Sequence, residues 1–397
     1  MNPDLEKLQP YPFEKLSKLK AGITPANKNH IALSIGEPKH ATPEIISNSL
    51  IQNINGLATY PTTKGIPLLR ETISNWITQR FHINDKLIDI DKNVLPVNGT
   101  REALFSFAQA IIDRSTSPLV LMPNPFYQIY EGAALLAGAT PYFIDCTADN
   151  NYLPDFDSIE ASVWERCQLI YLCSPGNPTG AVIGSEQLEK LIRLSDQYDF
   201  VIASDECYSE IYFDEANPPT GLLESAHNMG RDDFKNCVVF HSLSKRSNAP
   251  GLRSGFVAGD SQIIQKYFSY RTYHGCAMPI QHQMASIAAW SDEKHVKENR
   301  RLYQQKFNDV ISILEPVLDV KQPDAAFYLW AHTPISDETF AKQLFLRENI
   351  TLLPGSYLSR KNKGVNPGSN HVRMALVASH EECIEAAHRI KQFCEQL

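Results

Sequence analysis

At 397 residues, 43% hydrophobic and 21% charged, the chain can bury a large core and divide into two domains. A net charge of −8 without any lysine/arginine block argues against nucleic acid or an anionic membrane as the main partner, and no apolar run is long enough to span a bilayer. Eight cysteines lacking CxxC or Cys/His spacing give no case for a metal site and read as reduced, mostly buried thiols of a cytoplasmic protein. The start, MNPDLEKLQPYPFEKL, carries acids and prolines where a secretory leader would be basic and then apolar. Its two prolines predict an extended aromatic arm, Pro10–Phe13, that needs a surface to lie on. A strand at Ile31–Ile35 ends in Gly36-Glu37-Pro38, where Gly36 either lets backbone approach a ligand or simply ends the strand. Thr42–Asn53 reads as a helix with Pro43 in its first turn. Tyr60-Pro61 follows, then Gly65-Ile66-Pro67-Leu68-Leu69-Arg70.

From residue 94 short apolar runs alternate with helical stretches: Val94–Val97, Leu119–Met122, Pro141–Ile144, Leu169–Cys173, Phe200–Ala203, Val238–Phe240 and Phe256–Ala258. Such alternation predicts an α/β fold, a mostly parallel sheet with helices on both faces, and ligands bind such sheets beyond the strand C-termini. The first exit, Asn98-Gly99-Thr100-Arg101-Glu102, opens a helix at Ala103–Ile112 whose free N–H groups suit a phosphate. The second carries Phe126 and Tyr127. The third, Ser174-Pro175-Gly176-Asn177-Pro178-Thr179-Gly180, is a rigid turn that can hold the Asn177 amide as a donor, or a plain turn. The fourth places Asp205 and Tyr208 three residues apart; Asp205 taken alone could equally cap a following helix. Beyond Gly259, Ser261–Tyr270 and Gln281–Leu314 read as helices, Ala326–Ala331 as a strand and Asp337–Asn349 as a helix. Arg373, inside the apolar strand His371–Leu376, must be paired or face a cleft.

The segment His241–Phe256, HSLSKRSNAPGLRSGF, organises the rest. Lys245 ends a buried strand, where a desolvated amine can lose its proton and form a Schiff base. Ser242, Ser244 and Arg253 add hydroxyls and a cation suited to a phosphate, and the pair of features suggests pyridoxal phosphate. SLSK followed by Arg253 and Gly255 resembles the cofactor-lysine signature of the class I/II aminotransferases. The resemblance extends in order through Tyr60, Thr100, Tyr127, Asn177, Asp205, Tyr208 and Arg373, covers nearly the entire chain, and implies the fold-type I architecture.

It further implies Gly99, Thr100 and Arg101 at the cofactor phosphate, Tyr127 stacked on the ring, and Asn177 with Tyr208 at the phenolic oxygen. Asp205 is then expected at the ring nitrogen, Lys245 as the catalytic amine, and Arg373, with Asn177 and Gly36, at the substrate carboxylate. Tyr60 is expected to reach the phosphate of a neighbouring subunit, hence a homodimer. The boundaries expected are residues 1–45 for the arm and first part of a smaller α+β domain, 46–284 for the cofactor domain and 285–397 for the rest of the small domain. The opening segment, the SIGEP loop and Ser-Asn after SLSKR look similar to bacterial N-succinyldiaminopimelate aminotransferases, which use glutamate as donor in lysine biosynthesis. An aspartate or aromatic aminotransferase and a cysteine-conjugate β-lyase share the same constellation. A non-catalytic regulator would want a basic DNA-binding segment, which the charge pattern lacks.

Overall fold

The computed structural model describes residues 1–397. After β1 (Ile31–Ala32), seven strands make the large sheet: β2 (Val94–Val97), β3 (Leu119–Asn124), β4 (Thr140–Asp145), β5 (Cys167–Cys173), β6 (Val201–Asp205), β7 (Cys237–Ser242) and β8 (Gly255–Gly259). The seven apolar runs picked from the sequence each overlap one of them. Their order is β2-β8-β7-β6-β5-β3-β4, and only β8 runs against the others. Strands β2, β7 and β8 are buried at every position, as strands covered on both faces must be. The reversal of β8 matters for function: Gly255, at its start, pairs with Ser242, at the end of β7. The chain just before β8 therefore lies on the same sheet edge as the C-termini of its neighbours.

The remaining strands are β9 (Tyr328–His332), β10 (Ile350–Thr351), β11 (Leu353–Pro354) and β12 (His371–Ala375). β12 lies between β11 and β9, antiparallel to both, while β10 pairs in parallel with β1, Ile31 opposite Ile350. Ile31 and Leu33 consequently share a core with Tyr303, Phe327 and Phe393, far away in sequence. No helix is long and apolar enough to cross a membrane.

Two local expectations need correction. Pro12 does not extend the arm; it opens the helix Pro12–Lys20, where its missing N–H removes no helical hydrogen bond. That helix seats Leu16 against Trp330, Leu353, Tyr357 and Leu358, so the arm lies on its own chain. The stretch Gln281–Leu314 is two helices, Ile280–Trp290 and Lys294–Leu314. The break falls where Asp292 Oδ2 accepts from the His295 N–H at 3.0 Å, a local bond that competes with helix continuation.

Candidate active site

The strand exits converge on one cavity of about 570 Å³ at the C-terminal edge of the large sheet. Of the residues singled out from sequence, Gly36, Thr100, Arg101, Tyr127, Asn177, Asp205, Tyr208, Ser242, Ser244, Lys245, Arg253 and Arg373 all line it. Tyr60 does not; it is 99% exposed on the chain's own surface.

Lys245 rises from the four-residue helix Leu243–Arg246 just past β7. Its ammonium donates to the Gly36 carbonyl and sits 5.4 Å over the Phe327 ring. Burial lowers it to about 8, so a useful fraction is neutral near physiological pH. Gly36 tolerates no side chain, because a Cβ there would overlap the Tyr328 hydroxyl.

Arg373 is 4% exposed and comes from the middle of β12. Its Nη1 donates to Asn177 Oδ1 at 2.9 Å and its Nη2 to the Ser34 carbonyl at 2.7 Å. The guanidinium lies 4.4 Å over the face of Tyr328, whose hydroxyl is 2.8 Å from that of Tyr208. Nε is buried and has no partner in the chain. Two partners therefore fix a buried cation that lines the cavity, and a carboxylate is the group such a guanidinium suits. The Asn177 amide nitrogen remains available as a donor, since the bond to Arg373 uses only its oxygen.

At the cavity floor Asp205 ends β6, 4% exposed. Burial raises its pKa, opposed by hydrogen bonds from the Cys207 side chain, Tyr130 and the Cys207 backbone. No helix begins after it; the next one starts at Leu222, so the capping alternative falls away. Tyr208 is pushed well up by burial. At the other end Gly99 adopts φ +83°, and a Cβ would overlap the Arg253 guanidinium. Gly99 thus lies behind the cavity and admits Arg253 beside the N-terminus of the helix Thr100–Ile111. Arg253 is exposed and bonds only to the Pro250 carbonyl, at 2.8 Å. Ser242 lines the cavity and is bonded within its own loop. Its Oγ accepts from the Ser244 N–H at 3.1 Å and donates within the loop, to Ser244 Oγ at 3.0 Å or the Ser254 carbonyl at 3.3 Å. Ser244 keeps a hydroxyl proton to donate.

The pattern of the family described as Aminotransferase class I and II matches residues 28–390. The chain belongs to the class I and II aminotransferases. An aminotransferase structure from Neisseria meningitidis superposes with a TM-score of 0.95 at 48% identity over 99% of this chain and 100% of that one. Aminotransferase AspB from Helicobacter pylori gives 0.90 at 36%, over 98% and 100%. Among curated relatives, an LL-diaminopimelate aminotransferase of Syntrophobacter fumaroxidans is 31% identical over 98% of this chain and 97% of its own.

Enzymes of this class depend on pyridoxal phosphate, and the residues of this aminotransferase fit it. A reactive amine, a buried carboxylate at the floor and an exposed arginine beside a helix N-terminus stand around one cavity. Several of its walls escaped the sequence reading. Tyr328 neighbours Arg373 only diagonally across β9 and β12, which no local string reveals. Tyr130 reaches Asp205 from the helix Ile129–Ala137, and Tyr11 and Phe13 of the N-terminal segment close the cavity from outside. Glu37 and Cys207 also line it, Cys207 Sγ lying 3.0 Å from Thr100 Oγ1.

Proposed function

We propose that this aminotransferase moves an amino group from glutamate to N-succinyl-2-amino-6-oxopimelate, in two half-reactions at one site. The observation that carries the reading is the shared cavity of Lys245 and Arg373, with a second cation, Arg101, on the same wall as Tyr127. Arg101 donates to the Tyr127 hydroxyl at 2.7 Å, which fixes its guanidinium for a distal carboxylate as well as for the phosphate end. Support for the pimelate skeleton comes from the likeness of the opening segment and SIGEP loop, and from the names of the curated relatives.

Arg373 holds the substrate α-carboxylate, with Asn177 bracing its Nη1 and Ser34 its Nη2. Lys245 Nζ accepts the Cα proton and returns it, a role its lowered pKa suits. Tyr208, oriented by Tyr328, donates toward the phenolic oxygen, and Asp205 carries the negative charge for the ring nitrogen. Pyridoxal phosphate, when bound, supplies the electron sink for the charge left at Cα. Arg253, Ser244 and the N–H groups around Thr100 hold its phosphate. Tyr60 is assigned to a second copy's site: it projects fully exposed from a segment that also exposes Ile51, Ile54, Leu57 and Leu68.

A second reading, free LL-diaminopimelate as donor, is favoured by the activity for which those relatives are named. The test compares N-succinyl-LL-diaminopimelate, LL-diaminopimelate, aspartate and phenylalanine as donors to 2-oxoglutarate. The highest kcat/KM for the succinylated compound supports the proposal. A higher value for LL-diaminopimelate replaces it with the second reading, and preference for aspartate or phenylalanine sinks both.

A further inference from the structure

Asp205 does not stand alone at the cavity floor. Titratable groups surround it from several elements: Tyr127 and Tyr130, Cys173, Cys207, His241 and Tyr328. Two donors reach its oxygens with resolved bonds. The Cys207 backbone N–H meets Oδ1 at 3.2 Å, and the Tyr130 hydroxyl meets Oδ2 at 2.7 Å. Tyr130 is fully buried and rigidly placed, stacked on Tyr171 at 4.8 Å with an interplanar angle of 10° and edge-on to Tyr127 at 5.7 Å. The phenol's geometric hydrogen bond goes to that carboxylate, with the Cys173 thiol as its other polar neighbour. Burial alone disfavours the carboxylate's charge, whereas a hydrogen bond donated to it favours the ionised form.

We infer that Tyr130 is a positioning residue that keeps Asp205 ionised and aimed, and thereby decides whether the cofactor's ring nitrogen stays protonated. The inference rests on the placement of Asp205 against that nitrogen. Without the phenol, a proton shared between carboxylate and ring nitrogen moves toward the carboxylate, and the ring loses its positive charge. Tyr130 then acts on the reaction without touching substrate, through the electron-withdrawing power of the ring.

The test uses holoenzyme carrying cofactor labelled at the ring nitrogen, observed by nitrogen NMR, with cofactor affinity measured in parallel on stripped protein. Tyr130→Phe keeps the ring stack and removes one hydroxyl; its resonance should move from the protonated to the unprotonated position, and cofactor affinity should fall by about tenfold. Tyr130→His, which returns an N–H donor, should restore protonation; failure to do so would attribute the effect to packing and overturn the inference, as would an unchanged resonance in Tyr130→Phe. Asp205→Asn separates the two layers. If its ring nitrogen remains protonated, the placement of Asp205 is wrong and the inference falls with it. If Asp205→Asn deprotonates the ring and Tyr130→Phe does not, only the role of Tyr130 is refuted.

Discussion

Replacing Arg373 by lysine keeps the charge and removes the fork. In the native cavity Nη1 donates to Asn177 at 2.9 Å and Nη2 to Ser34 at 2.7 Å, while Nε is buried without a partner. A single ammonium cannot hold both protein partners and also present a directed bond to a carboxylate. The loss amounts to about one charge-assisted hydrogen bond together with the orientation of Asn177, roughly 3 kcal/mol in total. That corresponds to a drop in kcat/KM of about 150-fold. The assay is the first half-reaction alone: holoenzyme is mixed with amino donor over a range of concentrations and the cofactor absorbance is followed. Cofactor affinity should stay near the native value, because Arg253, Ser244 and Thr100 are untouched. A rate within about threefold of native would refute the clamp, since an energetic difference that small lies below one lost hydrogen bond.

Other expectations follow from the same geometry. The Lys245 ammonium is destabilised by burial, from an ordinary value of 10.5 to about 8, so below about pH 8 the cofactor-free protein carries a charge that opposes folding. Because unfolded protein binds the extra proton between those values, stability should rise as pH increases from about 8 to 10.5. Lys245→Met should therefore stabilise the stripped protein at neutral pH by up to roughly 3 kcal/mol, and the advantage should shrink toward the upper end of that window, read by denaturant titration. Equal stability of the two proteins at neutral pH would contradict this. Gly99→Ala places a side chain at φ +83° against Arg253; cofactor affinity should fall by about tenfold or more, and unchanged binding would show that Arg253 can retreat freely. Mixing Lys245→Ala chains with Tyr60→Ala chains should recover activity that neither has alone, because a hybrid carries one site with both residues intact. No recovery after subunit exchange would place Tyr60 outside the neighbouring site.

The parts of the site that could be read from sequence share one property: each sits in a short loop just beyond a strand, within a string that carries its own geometry. Asn177 in its proline-bounded turn, Asp205 at the end of β6 and Lys245 after β7 are of this kind. Arg373 announced itself as a charge in an apolar strand. What escaped depends on register or distant packing. Tyr328 meets Arg373 only through the antiparallel pairing of β9 with β12. Tyr130 faces Asp205 because β3 and β6 lie on either side of β5, and its helix position says nothing of that. The arm misled because proline's fixed φ suits the first turn of a helix as well as an extended path, and burial of Leu16 decided the matter. The break before Lys294 falls in the polar run Ser291–His295, which carries no glycine or proline to mark it.

The central claim is that Lys245 is the amine that bonds the cofactor. Resting holoenzyme reduced with borohydride, digested and analysed by peptide mass spectrometry tests it directly. The account predicts a pyridoxyl tag on the peptide containing Lys245 and on no other lysine. A tag elsewhere, or an untagged chain that still binds the cofactor, would contradict it.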